Sequence, residues 1–122
     1  WIVADEIDTD RPRDIDARWH FHPDVAAVAQ GLDVVSADKG VANIRITPVG
    51  LADATVRIAR GESEPMLGWY SPKYNVKLPT SVALYSARLR RSALFAWIIT
   101  VDPSQRPSPV EAERLRAPEG VA

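Results

Sequence analysis

From Asp14 to His22 the chain alternates without a break. Ile15, Ala17, Trp19 and Phe21 fall on one parity, and Asp16, Arg18, His20 and His22 on the other. A helix would scatter that order around its circumference. A β-strand sends successive side chains to opposite faces and turns the same order into one buried and one solvated side. The pair Pro23-Asp24 ends the run. A chain built on this period folds as a sheet, with one face against a core.

The rest of the first hundred residues repeats the pattern in shorter pieces. Trp1 to Ile7 is a first strand, followed by the turn-rich run Asp8 to Arg13 and then by Asp14–His22; these two are expected to pair as an antiparallel hairpin with a long polar loop. Val25–Ala29 and Leu32–Ser36 flank Gln30-Gly31, a tight-turn signal. Strands over Ala42–Thr47 and Ala54–Ile58 follow, separated by Pro48-Val49-Gly50, and Gly61 and Pro65 bracket another turn. After a Pro-containing loop come two long strands, Ser81–Arg88 and Ala93–Val101. The last is apolar on both parities (Phe95, Trp97, Ile99, Val101 against Leu94, Ala96, Ile98), which places it centrally, covered on both sides.

Short strands at this spacing, with no helical pattern between them, predict an all-β fold: an antiparallel β-sandwich of about eight strands over residues 1–102. The stretch 103–122 changes character. Pro103, Pro107, Pro109 and Pro118 interrupt it, and only Val110–Arg116 has helical spacing, with Ser108 as N-cap and Pro109 at the first position. It is expected to be a flexible, irregular or briefly helical tail.

Composition narrows the function classes. The chain has 122 residues, enough for one domain, and a chain of that size buries roughly two-thirds of its unfolded surface. A net charge of −1 supplies no electrostatic attraction to nucleic acid or an anionic membrane, and leaves an acidic polysaccharide open through local basic patches. There is no cysteine, hence no disulfide and no thiolate ligand. The longest apolar run, Ala93 to Val101, is the length of a strand and far short of a membrane-spanning helix. The chain opens on Trp1 inside an apolar run, which reads as a cut from a longer protein.

Four features could carry chemistry. His20 and His22, at i and i+2, project from one strand face with α-carbons about 7 Å apart, a spacing that suits two imidazoles on one zinc with Asp16 as a third ligand. A pair from one strand is a weak motif, and the preferred reading is solvent-face or inter-sheet histidines bonded to neighbouring Asp or Arg. The aromatics and lysine of Gly68-Trp69-Tyr70-Ser71-Pro72-Lys73-Tyr74 could stack on sugar rings, making Trp69, Tyr70, Lys73 and Tyr74 the candidate carbohydrate contacts. Against that, Trp69 and Tyr70 could plug the open end of the sandwich. Arg88-Leu89-Arg90-Arg91 could meet a carboxylate or sulfate, or form the solvated turn between the long strands. Asp5, Glu6, Asp14 and Asp16 offer carboxylates, but nothing in the sequence marks a raised-pKa environment for general acid–base work. No Gly-rich phosphate loop, nucleophile elbow or Cys/His ligand set is present.

Three segments in order resemble one family. Trp1-Ile2-Val3-Ala4-Asp5-Glu6-Ile7 is similar to a hydrophobic strand of heparinase II/III-like proteins. Ala17-Arg18-Trp19-His20-Phe21-His22-Pro23 is similar to their R-W-H-F-H-P strand. Gly68-Trp69-Tyr70-Ser71-Pro72-Lys73-Tyr74 through Pro79 resembles their G-W-Y-S-P-x-Y…P segment. The resemblance covers Trp1 to Val101 and points to the C-terminal β-domain of that family.

It implies a parent with an α/α-toroid followed by antiparallel sheets, cleaving uronic-acid polysaccharides by β-elimination: a base removes the C5 proton, a Tyr or His assists the leaving oxygen, and polar groups neutralise the carboxylate. The family's Tyr, Asn and His machinery lies in the helical domain, and a further catalytic His and the zinc ligands lie upstream of the matched segment. By the resemblance, then, no catalytic residue, no metal ligand and no cofactor belong to this segment, and zinc would sit in the parent upstream. Its partners would be the upstream helical and β-domains and an acidic polysaccharide, in a periplasmic or extracellular setting. The implied role is a non-catalytic sandwich that supports the cleft and presents the Trp69–Tyr74 loop; the alternative is an autonomous carbohydrate-binding module using that loop.

Overall fold

A computed structural model describes residues 1–51, 53–103 and 108–113. Twelve strands run through them, all antiparallel where they pair: β1 (Ile2–Ile7), β2 (Arg13–His20), β3 (Ala27–Gln30), β4 (Asp33–Ser36), β5 (Asn43–Val49), β6 (Thr55–Arg60), β7 (Glu62–Ser63), β8 (Met66–Leu67), β9 (Trp69–Lys73), β10 (Val76–Pro79), β11 (Ser81–Leu89) and β12 (Ala93–Asp102). The eight strands of the two large sheets match the sequence reading within a few residues. The other four, β7 to β10, lie where turns and a loop were expected.

Two sheets make the sandwich. One has the order β1-β12-β5-β4-β3 and the other β2-β11-β6; β7-β8 and β9-β10 are separate two-stranded ribbons. The expected β1–β2 hairpin does not form. β1 pairs with β12 (Val3 opposite Trp97, Asp5 opposite Phe95), and β2 pairs with β11 (Ala17 opposite Tyr85, Trp19 opposite Ala83). The β1–β2 and β11–β12 connections therefore both cross between the sheets, one stacked on the other. The Ser92 hydroxyl ties them together, donating to Asp8 Oδ1 while it accepts the Thr9 amide. A local alternating pattern is the same for a hairpin and for such an arch; the choice is made by which distant strands complete the core.

The core lies between the inner faces. Phe21, Val34, Ile46, Leu51, Ala83, Tyr85, Phe95 and Trp97 are buried there, with Ile15, Ala17 and Trp19 of β2 packed against them. Trp97 sits at its centre, edge-on to Trp19 (5.7 Å between ring centroids), Tyr85 (4.8 Å) and Phe95 (6.0 Å). T-shaped contacts set the positive ring edge against the negative face of the next ring. A smaller cluster of Ala59, Leu67 and Val82 forms on the outer side of the three-stranded sheet, beneath the β7-β8 ribbon.

β12 is central in its sheet, as its two apolar parities require, but its outer parity is covered only in part. Leu94 is 37% exposed, and Ala96 and Ile98 are half-buried. Over that face, Ala112 and Glu113 border a cavity with Ile2, Leu94 and Ile98, and Ser108 and Pro109 border another with Val35 and Arg45. Residues 108–113 carry no helix, so the first half of the expected Val110–Arg116 helix is irregular; its remainder lies outside the described residues. Among the described residues no helix is long and apolar enough to cross a membrane.

Candidate functional site

The segment Gly68–Tyr74 is not a loop. It enters the β9-β10 ribbon, in which Trp69 lies opposite Pro79, Tyr70 opposite Leu78 and Lys73 opposite Val76, with a register shift between Val76 and Leu78. The turn falls at Tyr74-Asn75, where Asn75 takes φ 60°. Asparagine tolerates that left-handed conformation better than other side chains.

Gly68 makes the ribbon's root. Its φ is 78°, and its carbonyl accepts the amides of both Gly61 (2.9 Å) and Thr80 (2.8 Å). A Cβ there would lie 2.7 Å from the Arg60 Cα and 2.9 Å from the Thr80 oxygen. Only glycine provides both the backbone angle and the close approach.

From this root, period-2 alternation splits the aromatics. Trp69 turns inward: its indole Nε1–H donates to the Glu62 carbonyl at 2.8 Å, and Lys77 Nζ sits 4.1 Å from its ring centroid. That contact is a cation–π interaction covering one face of the ring. Glu62 is held at its other end by Arg57, whose two guanidinium nitrogens reach the carboxylate at 2.5 and 3.0 Å. The same hydrogen bonds hold the Glu62 carboxyl below the usual carboxylate range and the Arg57 guanidinium above its own. Trp69 is thus a packing residue that locks β9 onto β7.

Tyr70 lies on the opposite side, 41% exposed, with its ring 5.9 Å from the His22 imidazole at an interplanar angle of 51°. Lys73 and Tyr74 stand at the tip, where Tyr74 is 93% exposed. The four candidate contacts therefore do not form one patch. The ribbon separates Trp69 from Tyr70 and carries Lys73 and Tyr74 to its end.

His22 reaches Tyr70 because β2 closes just before it. Phe21 is buried; its amide donates to the Ser81 carbonyl at 3.0 Å and its carbonyl accepts the Thr80 hydroxyl. The chain then turns, with the Val25 amide on the His22 carbonyl at 2.9 Å, and Arg60 anchors the turn by donating to the Pro23 carbonyl at 3.0 Å. His22 Nδ1 lies 3.5 Å from the Asp24 carboxylate. Nothing local in the sequence marks His22 as a neighbour of Tyr70, since 48 residues separate them and the contact depends on how the ribbon folds back.

The remaining sequence candidates serve the sheets. Asp16 accepts the Ser86 hydroxyl at 2.7 Å and faces Arg18 at 3.4 Å, so it is not turned to a metal shared with His20 and His22. Among the described residues no group of three or more His, Asp or Glu side chains could hold a metal ion. Asp14 pairs with Arg88 at 2.8 Å, and Asp5 accepts the Trp97 indole. Leu89 is buried while Arg90 and Arg91 are exposed, in the connection between the two sheets.

Compared with known families, residues 1–109 match the model described as heparinase II/III-like, C-terminal. No curated protein and no solved structure gives a significant match. The matched span takes in every strand of both sheets and both ribbons, as the three ordered segments of the sequence imply. The chain belongs to the heparinase II/III-like, C-terminal family.

Proposed function

We propose that this chain is the non-catalytic β-sandwich module of a heparinase II/III-like protein that cleaves uronic-acid polysaccharide by β-elimination. The module supports the substrate cleft and contacts the polymer through the β9-β10 ribbon. The family match over residues 1–109 carries this reading. Around it, three of the four candidate carboxylates are engaged in the sheets: Asp5 by Trp97, Asp14 by Arg88, Asp16 by Ser86. The reacting groups and any zinc belong, on this reading, to upstream domains of the parent, in a periplasmic or extracellular setting.

The test is direct. The purified chain is incubated with alginate and with heparan sulfate, and unsaturated uronate is followed by its ultraviolet absorbance. No rise is expected; sustained product formation by the chain alone would overturn the non-catalytic assignment.

A second reading, an autonomous carbohydrate-binding module, is favoured by one observation. Tyr74 and Tyr70 are presented on a ribbon whose root is fixed to the sandwich. On that reading the chain binds polysaccharide without the rest of the protein.

A further inference from the structure

We infer that the ribbon's sugar contact is the aromatic surface shared by Tyr70 and His22, on which one pyranose unit of a polysaccharide stacks, and that Trp69 has no part in it. The inference rests on the module contacting polysaccharide and adds which residues do so.

Three observations support it. First, the two rings are in contact, tilted by 51° with centroids 5.9 Å apart, so they make one continuous aromatic surface. Tyr70 is 41% exposed and the His22 side chain 61%, which leaves ring surface open to a ligand. Second, the backbone is held on both sides. Tyr70 stands two residues after Gly68, whose carbonyl binds two amides, and His22 follows the buried Phe21 into a turn that Arg60 ties down. A backbone fixed in advance loses little entropy when a ligand arrives. Third, polar groups lie beside the rings: the Asp24 carboxylate is 3.5 Å from His22 Nδ1 and is 91% exposed, and Tyr70 carries its own hydroxyl.

Apolar ring faces flanked by an acceptor and by donor–acceptor tips match a pyranose, whose C–H face is apolar and whose hydroxyls form its edge. Trp69 is committed elsewhere. Lys77 occupies one ring face and the indole N–H is bonded to the Glu62 carbonyl.

The experiment is an NMR titration of the 122-residue chain with an alginate tetrasaccharide and, in parallel, with cellotetraose as an uncharged pyranose probe. Expected are shifts of the Tyr70 and His22 ring signals, with the Trp69 indole N–H unmoved. Tyr70→Ala should weaken binding ~tenfold, the scale of one aromatic contact, while Tyr70→Phe keeps most of it. Should Tyr70→Ala perturb folding, His22→Ala, which alters an exposed side chain, gives the same reading.

Binding that shifts only Lys73 and Tyr74 and survives Tyr70→Ala and His22→Ala would overturn the Tyr70–His22 contact surface and leave the proposed function standing. Shifts centred on Trp69 would overturn it likewise. Absence of binding by either probe at millimolar concentration would remove polysaccharide contact itself, and this contact surface with it.

Discussion

The indole N–H of Trp97, a residue only 1% exposed, donates to the carboxylate of Asp5 at 2.9 Å, across 92 residues of sequence. This bond joins the edge strand β1 to the centre of the core and satisfies the one polar atom of its largest side chain. A buried N–H without a partner costs about 1–3 kcal/mol. Asp5→Ala should therefore lower stability by about that amount, whereas Asp5→Asn, which keeps an acceptor, should lose less. Urea unfolding with an unchanged m-value checks both; equal losses for the two variants would show that the charge matters and the hydrogen bond does not.

Tyr85 donates its hydroxyl to the Leu32 carbonyl at 2.9 Å from inside the core. Burial, with a further contribution from the Asp33 charge, pushes its phenol above the usual tyrosine range. The folded state keeps a proton that the unfolded state releases. Stability is accordingly unaffected below the ordinary tyrosine pKa of about 10 and falls as pH rises beyond it. Tyr85→Phe should cost about 1 kcal/mol at neutral pH and flatten the alkaline fall. An unfolding series from pH 8 to 12, with the phenolate followed by absorbance, would expose a Tyr85 that titrates with the surface tyrosines.

Arg45 and Asp33 form an ion pair at 2.6 Å between β5 and β4, with side-chain exposures of 8% and 20%. Gln30 adds a hydrogen bond to the same guanidinium at 3.1 Å. Removing one member of a buried pair leaves the other charge desolvated, so Asp33→Ala should destabilise by about 3 kcal/mol. Thermal unfolding measures this; a loss within experimental error would mean that water reaches the arginine in the variant.

Gly68→Ala combines a left-handed backbone angle with a Cβ 2.7 Å from main chain. Strain and overlap together predict a loss on the order of 3 kcal/mol. The amides of Gly61 and Thr80, both bound to the Gly68 carbonyl, should lose hydrogen-exchange protection before the core does. Unchanged protection at those two amides would contradict the role given to the ribbon's root.

Part of the site was readable in advance and part was not. The Gly68–Tyr74 run stands out in the sequence as an aromatic cluster, and its tip, Tyr74, is exposed. The cluster's internal division is invisible there, because residues neighbouring in sequence point to opposite sides once β9 pairs with β10. His22 is placed by tertiary structure as well. Its spacing from His20 says nothing of Tyr70, to which the turn after the buried Phe21 carries it.

The sequence by itself determined the sandwich. Period-2 order places Ile15, Ala17, Trp19, Phe95 and Trp97 on inward faces whatever their partners, because alternation is a property of each strand alone. Only the tertiary structure decided the pairing. β1 crosses to β12 and leaves β2 to β11, since the core closes when Asp5 reaches Trp97 and Trp19 packs on it, contacts made across dozens of residues. The candidate site has the same origin. Tyr70 and His22 meet because the β9-β10 ribbon folds back over the end of β2, and no local pattern records that approach.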